Sequence, residues 1–222
     1  MAYWPKARLK NMKITKHGHA CLELELDGKK ALIDPGFYTE DVSGLKDVVA
    51  LVITHSHDDH CFETQVAGIA KSNPGIKIFG TSEVAAKLSS FDVTTVYHGD
   101  FYQEQGFSFE FFGDMHQVTH ESIPLIQNTG VMVNGKLYYP GDSYTTPEAA
   151  VEILACPTSA PWLKIGDVMD FVAAVKPKQS FATHNALLSD LGHDLNNGRV
   201  KLVTEQFGGE FTYLKVGDSL EA

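Results

Sequence analysis

Three histidines and two aspartates lie within six consecutive positions, one residue after an apolar run. The cluster is His55-Ser56-His57-Asp58-Asp59-His60, and the run is Val48–Ile53. A short apolar run that ends at polar, turn-forming residues is typical of a buried strand. Side chains two positions apart on an extended segment point the same way, so His55 and His57 can close on one ion. Asp59 and His60 could then bind a second ion. The cluster therefore predicts a metal site at the end of this strand.

Composition favours one domain and excludes one class of partner. The 222 residues are 43% hydrophobic and 21% charged, which suits a single domain over 1–222 with an N-terminal extension at 1–11. The formal net charge is −10 and no basic stripe is visible, so we expect no nucleic-acid partner. We expect a small-molecule substrate, and the sequence is compatible with a homo-oligomer.

The cysteines and the hydropathy pattern predict a cytoplasmic protein. Cys21, Cys61 and Cys156 form no CxxC pair and no disulfide framework, which favours a reducing compartment. Residues 1–10 contain no apolar signal core, and no run of eighteen apolar residues predicts a membrane span.

Periodicity predicts strands interspersed with helices. The alternation in Cys21–Leu26, followed by Asp27-Gly28, predicts a β-hairpin, and Asn134-Gly135 predicts another. Helices are predicted over 62–71, about 81–88 and 164–175, with strands between them. Residues 187–216 are predicted to hold loops and strands, with His193 exposed. This pattern indicates helices that cover a sheet.

The string His55-Ser56-His57-Asp58-Asp59-His60 resembles the HxHxDH signature of the metallo-β-lactamase superfamily of metal-dependent hydrolases. The resemblance extends from about Met12 to the C-terminus and is to small stand-alone hydrolases, a branch that also holds lactonase-like members. It implies an α/β (α+β) fold: a four-layer αββα sandwich of two mixed β-sheets flanked by helices.

The same resemblance implies two groups of metal ligands that share a carboxylate. These are His55, His57 and His116 for one ion, Asp59, His60 and His184 for the other, and Asp142 as the bridge. His120, four residues after His116, is the competing third ligand or else a residue that lines the pocket.

Two residues upstream of the cluster match supporting positions of the superfamily. Asp34 matches an acid that holds a ligating histidine by accepting its second ring N–H, although a turn-capping aspartate is the alternative. His19 matches a position near the catalytic rim, and a structural histidine is the alternative. Loops beside the ligands offer further candidates for the pocket wall: Tyr38, His120, Tyr144, Trp162 and Asn185.

The chemistry that the resemblance implies is hydrolysis by a metal-bound hydroxide that bridges two ions. A nitrogen-rich donor set with carboxylates and no thiolate suits Zn²⁺, and also Mn²⁺ or Fe²⁺. Two such ions about 3.5–4 Å apart lower the pKa of a bound water to about 7. Asp59 would orient the attacking water and Asp142 would hold the ions together. We expect cleavage of an ester, lactone or phosphodiester; the alternatives are a metal-binding protein without hydrolytic activity and an iron-dependent oxidoreductase.

Overall fold

A computed structural model describes residues 11–222, so all but the last residue of the expected extension at 1–11 lies outside the described residues. The first of two sheets contains β1 (Lys13–Lys16), β2 (Leu22–Leu26), β3 (Lys29–Ile33), β4 (Val48–Ile53), β5 (Lys77–Gly80), β6 (Val93–Thr95) and β14 (Ser219–Glu221). Their order is β14-β1-β2-β3-β4-β5-β6. The pairs from β14 to β3 are antiparallel and those from β3 to β6 are parallel.

The second sheet repeats this plan with the other seven strands. They are β7 (Phe101–Glu104), β8 (Phe107–Phe112), β9 (Gly130–Val133), β10 (Leu137–Tyr139), β11 (Ile153–Pro157), β12 (Gln179–Thr183) and β13 (Glu210–Phe211). Their order is β13-β12-β11-β10-β9-β8-β7. The pairs from β7 to β10 are antiparallel and those from β10 to β13 are parallel, so both sheets are mixed.

Four helices cover the outer faces of the sheets. They are α1 (Glu63–Ser72), α2 (Ser82–Lys87), α3 (Ile165–Val175) and α4 (Asp190–Gln206). One apolar cluster lies between the sheets, where Leu24 and Phe109 are among its buried members. A second joins the first sheet to α1 and α2, and a third joins the second sheet to α3 and α4. The predicted αββα sandwich is therefore confirmed.

Local turn chemistry accounts for the two predicted hairpins. Asp27 and Gly28 have φ values of 53° and 74°, and Asn134 and Gly135 have values of 53° and 63°. Positive φ at both central residues is typical of the tight type I′ turn, which favours Asn-Gly and Asp-Gly pairs. Both hairpins are confirmed.

Two elements depart from the sequence prediction. Residues 187–216 contain α4, a 17-residue helix that includes His193, where loops and strands were predicted. Its buried residues include Asn197 and Thr204 beside Val200 and Val203, so the sequence carries little apolar periodicity. Strand β7 was also missed, because it is an edge strand without a buried face and pairs only with β8.

The two sheets meet at the edge where the apolar run of β4 ends. The amide of Thr129 donates to Thr54 O (2.9 Å), and the amide of His184 donates to His19 O (2.7 Å). The first bond fixes the loop after β4, and the second fixes the turn between β1 and β2, against segments of the second sheet. Within residues 11–222, no helix has both the length and the apolar character to cross a bilayer.

Candidate metal centre

The histidine cluster lies in the loop between β4 and α1, which its neighbours hold rigidly. Lys87 Nζ donates to Ser56 O (2.6 Å). A Cβ atom on Gly36 would lie 1.7 Å from the carbonyl oxygen of Asp59, so only glycine lets the two backbones approach this closely. The loop is thus positioned by its main chain as well as by its side chains.

Two groups of potential ligand atoms converge at this sheet edge, and within each group the atoms lie within 4.8 Å of one another. One group is His55, His57 and His116; the other is His19, Asp59, His60 and His184. The six predicted ligands other than Asp142 thus fall into the two predicted groups, to which the structure adds His19. A third group, His55, His60 and Asp142, joins the two.

Asp142 lies between the two groups. Its Oδ1 is 3.3 Å from Nε2 of His60, and its Oδ2 is 3.4 Å from Nε2 of His116 and 3.1 Å from Nε2 of His184. A single carboxylate therefore reaches histidines of both groups.

Hydrogen bonds to carbonyl groups fix the tautomers of two of these histidines. Nδ1 of His116 lies 2.6 Å from Gln117 O, and Nδ1 of His184 lies 2.5 Å from Ser159 O. A carbonyl oxygen can only accept, so each Nδ1 carries the proton. In the neutral rings, Nε2 is then an unprotonated nitrogen with its lone pair directed away from the carbonyl.

Asp34 fixes the tautomers of two further buried histidines, His60 directly and His55 through Thr54. Its Oδ2 accepts from Nδ1 of His60 (2.7 Å) and from the hydroxyl of Thr54 (2.7 Å), while Oδ1 accepts from the amide of Thr54 (2.8 Å). Because the Thr54 hydroxyl donates to Asp34, its oxygen accepts from Nδ1 of His55, 3.0 Å away. Asp34 therefore makes the histidine contact expected of a supporting acid, and it caps the turn as well.

The result is a set of electron-pair donors without partners. Nε2 of His55, His60, His116 and His184 and Oδ1 of Asp142 are buried and form no hydrogen bond with any residue in 11–222. Buried polar atoms are nearly always paired, yet the nitrogens of His60, His116 and His184 lie only 3.1–3.4 Å from the carboxylate oxygens of Asp142 without a hydrogen bond to them. A divalent cation would satisfy all of these atoms at once, so the residues present fit a metal site.

His19 has the opposite tautomer. Its Nδ1 accepts from the amide of Ala186 (3.3 Å), so in the neutral ring Nε2 carries the proton and donates to Oδ2 of Asp59 (3.1 Å). Burial lowers the pKa of His19 to about 4, which keeps the ring neutral. The geometry thus gives His19 the role of a donor to Asp59.

The charge states of the ionisable side chains at the site suit the binding of a cation. Burial raises the pKa of Asp142, but His184 and the other histidines lower it more, to well below its usual range. The pKa of Asp59 is likewise lowered, against the effect of burial, by its contacts with His184 and His19. Burial holds the pKa of His55 well below its usual range, so this ring is neutral. For His184, Asp142 outweighs burial and raises the pKa, so a cation and a proton compete for the same nitrogen.

Two site residues have backbone conformations that are uncommon outside glycine. The φ values of Asp34 and His184 are 47° and 51°, in the left-handed region. Such conformations cost about 1–3 kcal/mol each and persist where surrounding contacts over-determine them. The bonds of Asp34 to Thr54 and His60 do this here.

Two contacts to Asp142 were not predicted. The indole N–H of Trp162 donates to Oδ2 of Asp142 (2.8 Å), and Oδ1 of Asn128 accepts from the Asp142 amide (2.9 Å). Trp162 was proposed only as part of the pocket wall, and Asn128 was not singled out. Neither lies near a ligand in a recognisable motif, so no pattern in the sequence pointed to these bonds.

The remaining predicted residues belong to none of the groups of potential ligands. His120 is exposed, pairs with Ser122 and belongs to neither group of potential ligands. Tyr144 packs its ring against Trp162, with centroids 5.2 Å apart. Tyr38 lines a cavity of about 550 Å³ that opens onto Asp59 and His184, whereas Asn185 lines a separate cavity.

Comparison with known proteins agrees with this geometry. The model of a family described as "Beta-lactamase superfamily domain" matches residues 13–184. The chain belongs to this superfamily. Protein Rv0786c of Mycobacterium tuberculosis is 30% identical over 198 residues, which cover 87% of this chain and 93% of that protein.

Other similar proteins carry names that refer to metal. A UPF0173 metal-dependent hydrolase of Aeropyrum pernix is 41% identical over 80 residues, 33% of this chain and 31% of that one. Igni18, described as a novel metallo hydrolase from Ignicoccus hospitalis, has a TM-score of 0.72 with 18% identity, covering 96% of this chain and 98% of that one. At this identity the likeness to Igni18 concerns the fold alone.

Proposed function

We propose that this superfamily member is a metal-dependent hydrolase that cleaves an ester, lactone or phosphodiester bond in a small molecule. The observation that carries the proposal is the convergence of four partnerless imidazole nitrogens on the buried carboxylate of Asp142. The name of the Aeropyrum protein supports the same activity class.

The proposed ligand sets follow the two groups. His55, His57 and His116 would hold one divalent ion, Asp59, His60 and His184 would hold the other, and Asp142 would serve both. The donors are mostly nitrogen with two carboxylates and no thiolate, a set that suits Zn²⁺ first and also Mn²⁺ or Fe²⁺.

Two bound cations would supply Lewis-acid polarisation of the scissile group and a hydroxide nucleophile at neutral pH. The chain's own residues orient the reactants. Asp59 Oδ2 is held by the N–H of His19, and Asp59 lines the larger cavity, where its carboxylate can accept a hydrogen bond from the attacking water. Trp162 holds Asp142 in place through the bond to Oδ2.

The larger cavity indicates a substrate with an apolar part. Its volume of about 550 Å³ is in the range of small-molecule sites. Phe37 and Leu187 stand at its wall with 59% and 68% of their surface exposed, beside Ala160 and Pro161. An apolar group of the substrate would cover these side chains while the scissile bond faces Asp59 and His184.

Elemental analysis of two matched variants tests the metal centre. We expect about two metal ions per chain in the parent protein and in His120→Ala, and about one or fewer in His116→Ala. The variants remove the same side chain four residues apart. Loss of metal from His120→Ala alone would show that the third ligand was misassigned, and fewer than about one ion in the metal-replete parent would overturn the proposal. Iron as the bound metal, with redox activity, would favour the oxidoreductase alternative.

A panel of esters, lactones and phosphodiesters with apolar groups of increasing size tests the reaction. We expect turnover of at least one class by the metal-loaded protein, and its loss in Asp142→Ala. If that variant turned over the substrate at the parent rate, the bridging role of Asp142 would be wrong. A metal-loaded parent inactive on the whole panel would favour metal binding without hydrolysis.

A further inference from the structure

A second cavity of about 340 Å³ lies on the far side of His19 from Asp59. We call it the Lys16 cavity; its wall includes Lys16, Tyr38, Asn185, His193, Tyr213 and Lys215. The Tyr38 side chain lines this cavity and the larger one, and its ring packs edge-on against that of His19 with centroids 5.4 Å apart. The proposed metal chemistry makes no use of the Lys16 cavity.

The cavity contains a buried cation without a counter-ion. Lys16 is only 3% exposed, and its Nζ donates to Ala182 O (2.9 Å) and to Oδ1 of Asn185 (2.9 Å). No carboxylate of residues 11–222 forms an ion pair with it, and burial alone accounts for the lowering of its pKa to about 8. An ammonium group has three N–H donors, so one remains for a ligand. Buried charges are normally paired, which makes this amine unusual.

Asn185 supplies a second donor at the same place. It is 3% exposed, and the bond from Lys16 occupies its Oδ1. Its amide nitrogen, Nδ2, forms no hydrogen bond with any residue in the described part of the chain. A buried amide donor without a partner costs about 1–3 kcal/mol unless a ligand or water satisfies it.

We propose that the Lys16 cavity binds the carboxylate group of a small organic acid, with Lys16 Nζ and Asn185 Nδ2 as donors. Among the residues of 11–222 that line the cavity, Lys16 is the only buried charge, and the exposed Lys215 and Glu40 offset each other, so one negative charge is matched better than two. The side chains of Leu214 and Val216 give the cavity apolar wall for the organic part. The site is separate from the proposed hydrolytic centre and does not depend on it.

The experiment titrates the metal-loaded protein, labelled with ¹³C at the lysine ε-carbons, with benzoate, neutral benzamide and inorganic phosphate. The Lys16 resonance is assigned by its absence from Lys16→Arg, a variant that keeps a cation. We expect a saturable shift of the Lys16 resonance with benzoate and none with benzamide. In Asn185→Asp, a carboxylate beside Lys16 replaces the amide donor, so we expect benzoate to bind at least about tenfold more weakly.

The controls separate this site from other anion sites. Asn11→Asp makes the same chemical change at an exposed position and is expected to bind benzoate as the parent does. Benzoate that leaves the Lys16 resonance unmoved, or that binds Asn185→Asp as tightly as the parent, would overturn the proposal. Phosphate that shifts Lys16 where benzoate does not would overturn the choice of a carboxylate. If Lys16 served only to join β1 to β12 through its bond to Ala182 O, no probe would shift its resonance, and that result would also overturn the proposal.

Discussion

Replacing Asp34 by Asn should weaken the binding of the metal ion that His60 would hold more than the binding of the other ion. The two oxygens of Asp34 accept three hydrogen bonds, two from Thr54 and one from Nδ1 of His60. An asparagine has a single acceptor oxygen, which can keep the bond from the Thr54 amide. Its NH₂ group would then face the protonated Nδ1 of His60, and the ring would move its proton to Nε2. That proton would occupy the nitrogen that faces Asp142 and the metal.

The size of the effect follows from the bond that is lost. A hydrogen bond to a charged group contributes about 1.5–3 kcal/mol, which corresponds to about a 10- to 100-fold loss of affinity. Loss of a partner that orients a metal-binding histidine has effects of the same size. The other ion depends on Asp34 only indirectly, because the Thr54 hydroxyl lies between Asp34 and Nδ1 of His55. That ion should therefore lose less affinity than the ion that His60 would hold.

Competition between the protein and a chromophoric zinc chelator measures both affinities. Asp47→Asn is a matched control, since Asp47 also has a positive φ (61°) that asparagine tolerates, and it only pairs with Lys29 at the surface. We expect no change in that variant. If Asp34→Asn kept both affinities within about twofold of the parent, Asp34 would be a turn residue and the tautomer argument would be refuted.

Three further changes test the packing and the support of the site. Gly36→Ala places a methyl group 1.7 Å from Asp59 O, and chemical denaturation should show a loss of about 3 kcal/mol or more; a loss below about 1 kcal/mol would contradict the steric argument. Trp162→Phe removes the bond to Asp142 but keeps a ring, so zinc affinity should fall about tenfold, and an unchanged affinity would show that the indole only packs. Phe109→Ala empties the core between the sheets and should lower the free energy of unfolding by about 3–5 kcal/mol in the same denaturation assay.

The elements that the sequence predicted well are those whose signal is local. The turns at Asp27-Gly28 and Asn134-Gly135 require positive φ, and Val48–Ile53 is apolar throughout because β4 is buried on both faces. Helix α4 was missed because its inward face includes Asn197 and Thr204. Thr204 is satisfied by Ser180 of β12, a partner 24 positions away that periodicity cannot reveal.

The kinds of donor atoms and the strand end that carries them could be read from the chain alone, because the motif from His55 to His60 is contiguous. Which distant side chains join that motif depended on how the two sheets pack. It brought His116 rather than His120 to the centre, placed Trp162 on Asp142, and gave His19 a proton that faces Asp59. These outcomes depend on angles and distances between segments far apart in the chain, and a shift of about 1 Å is enough to break a hydrogen bond.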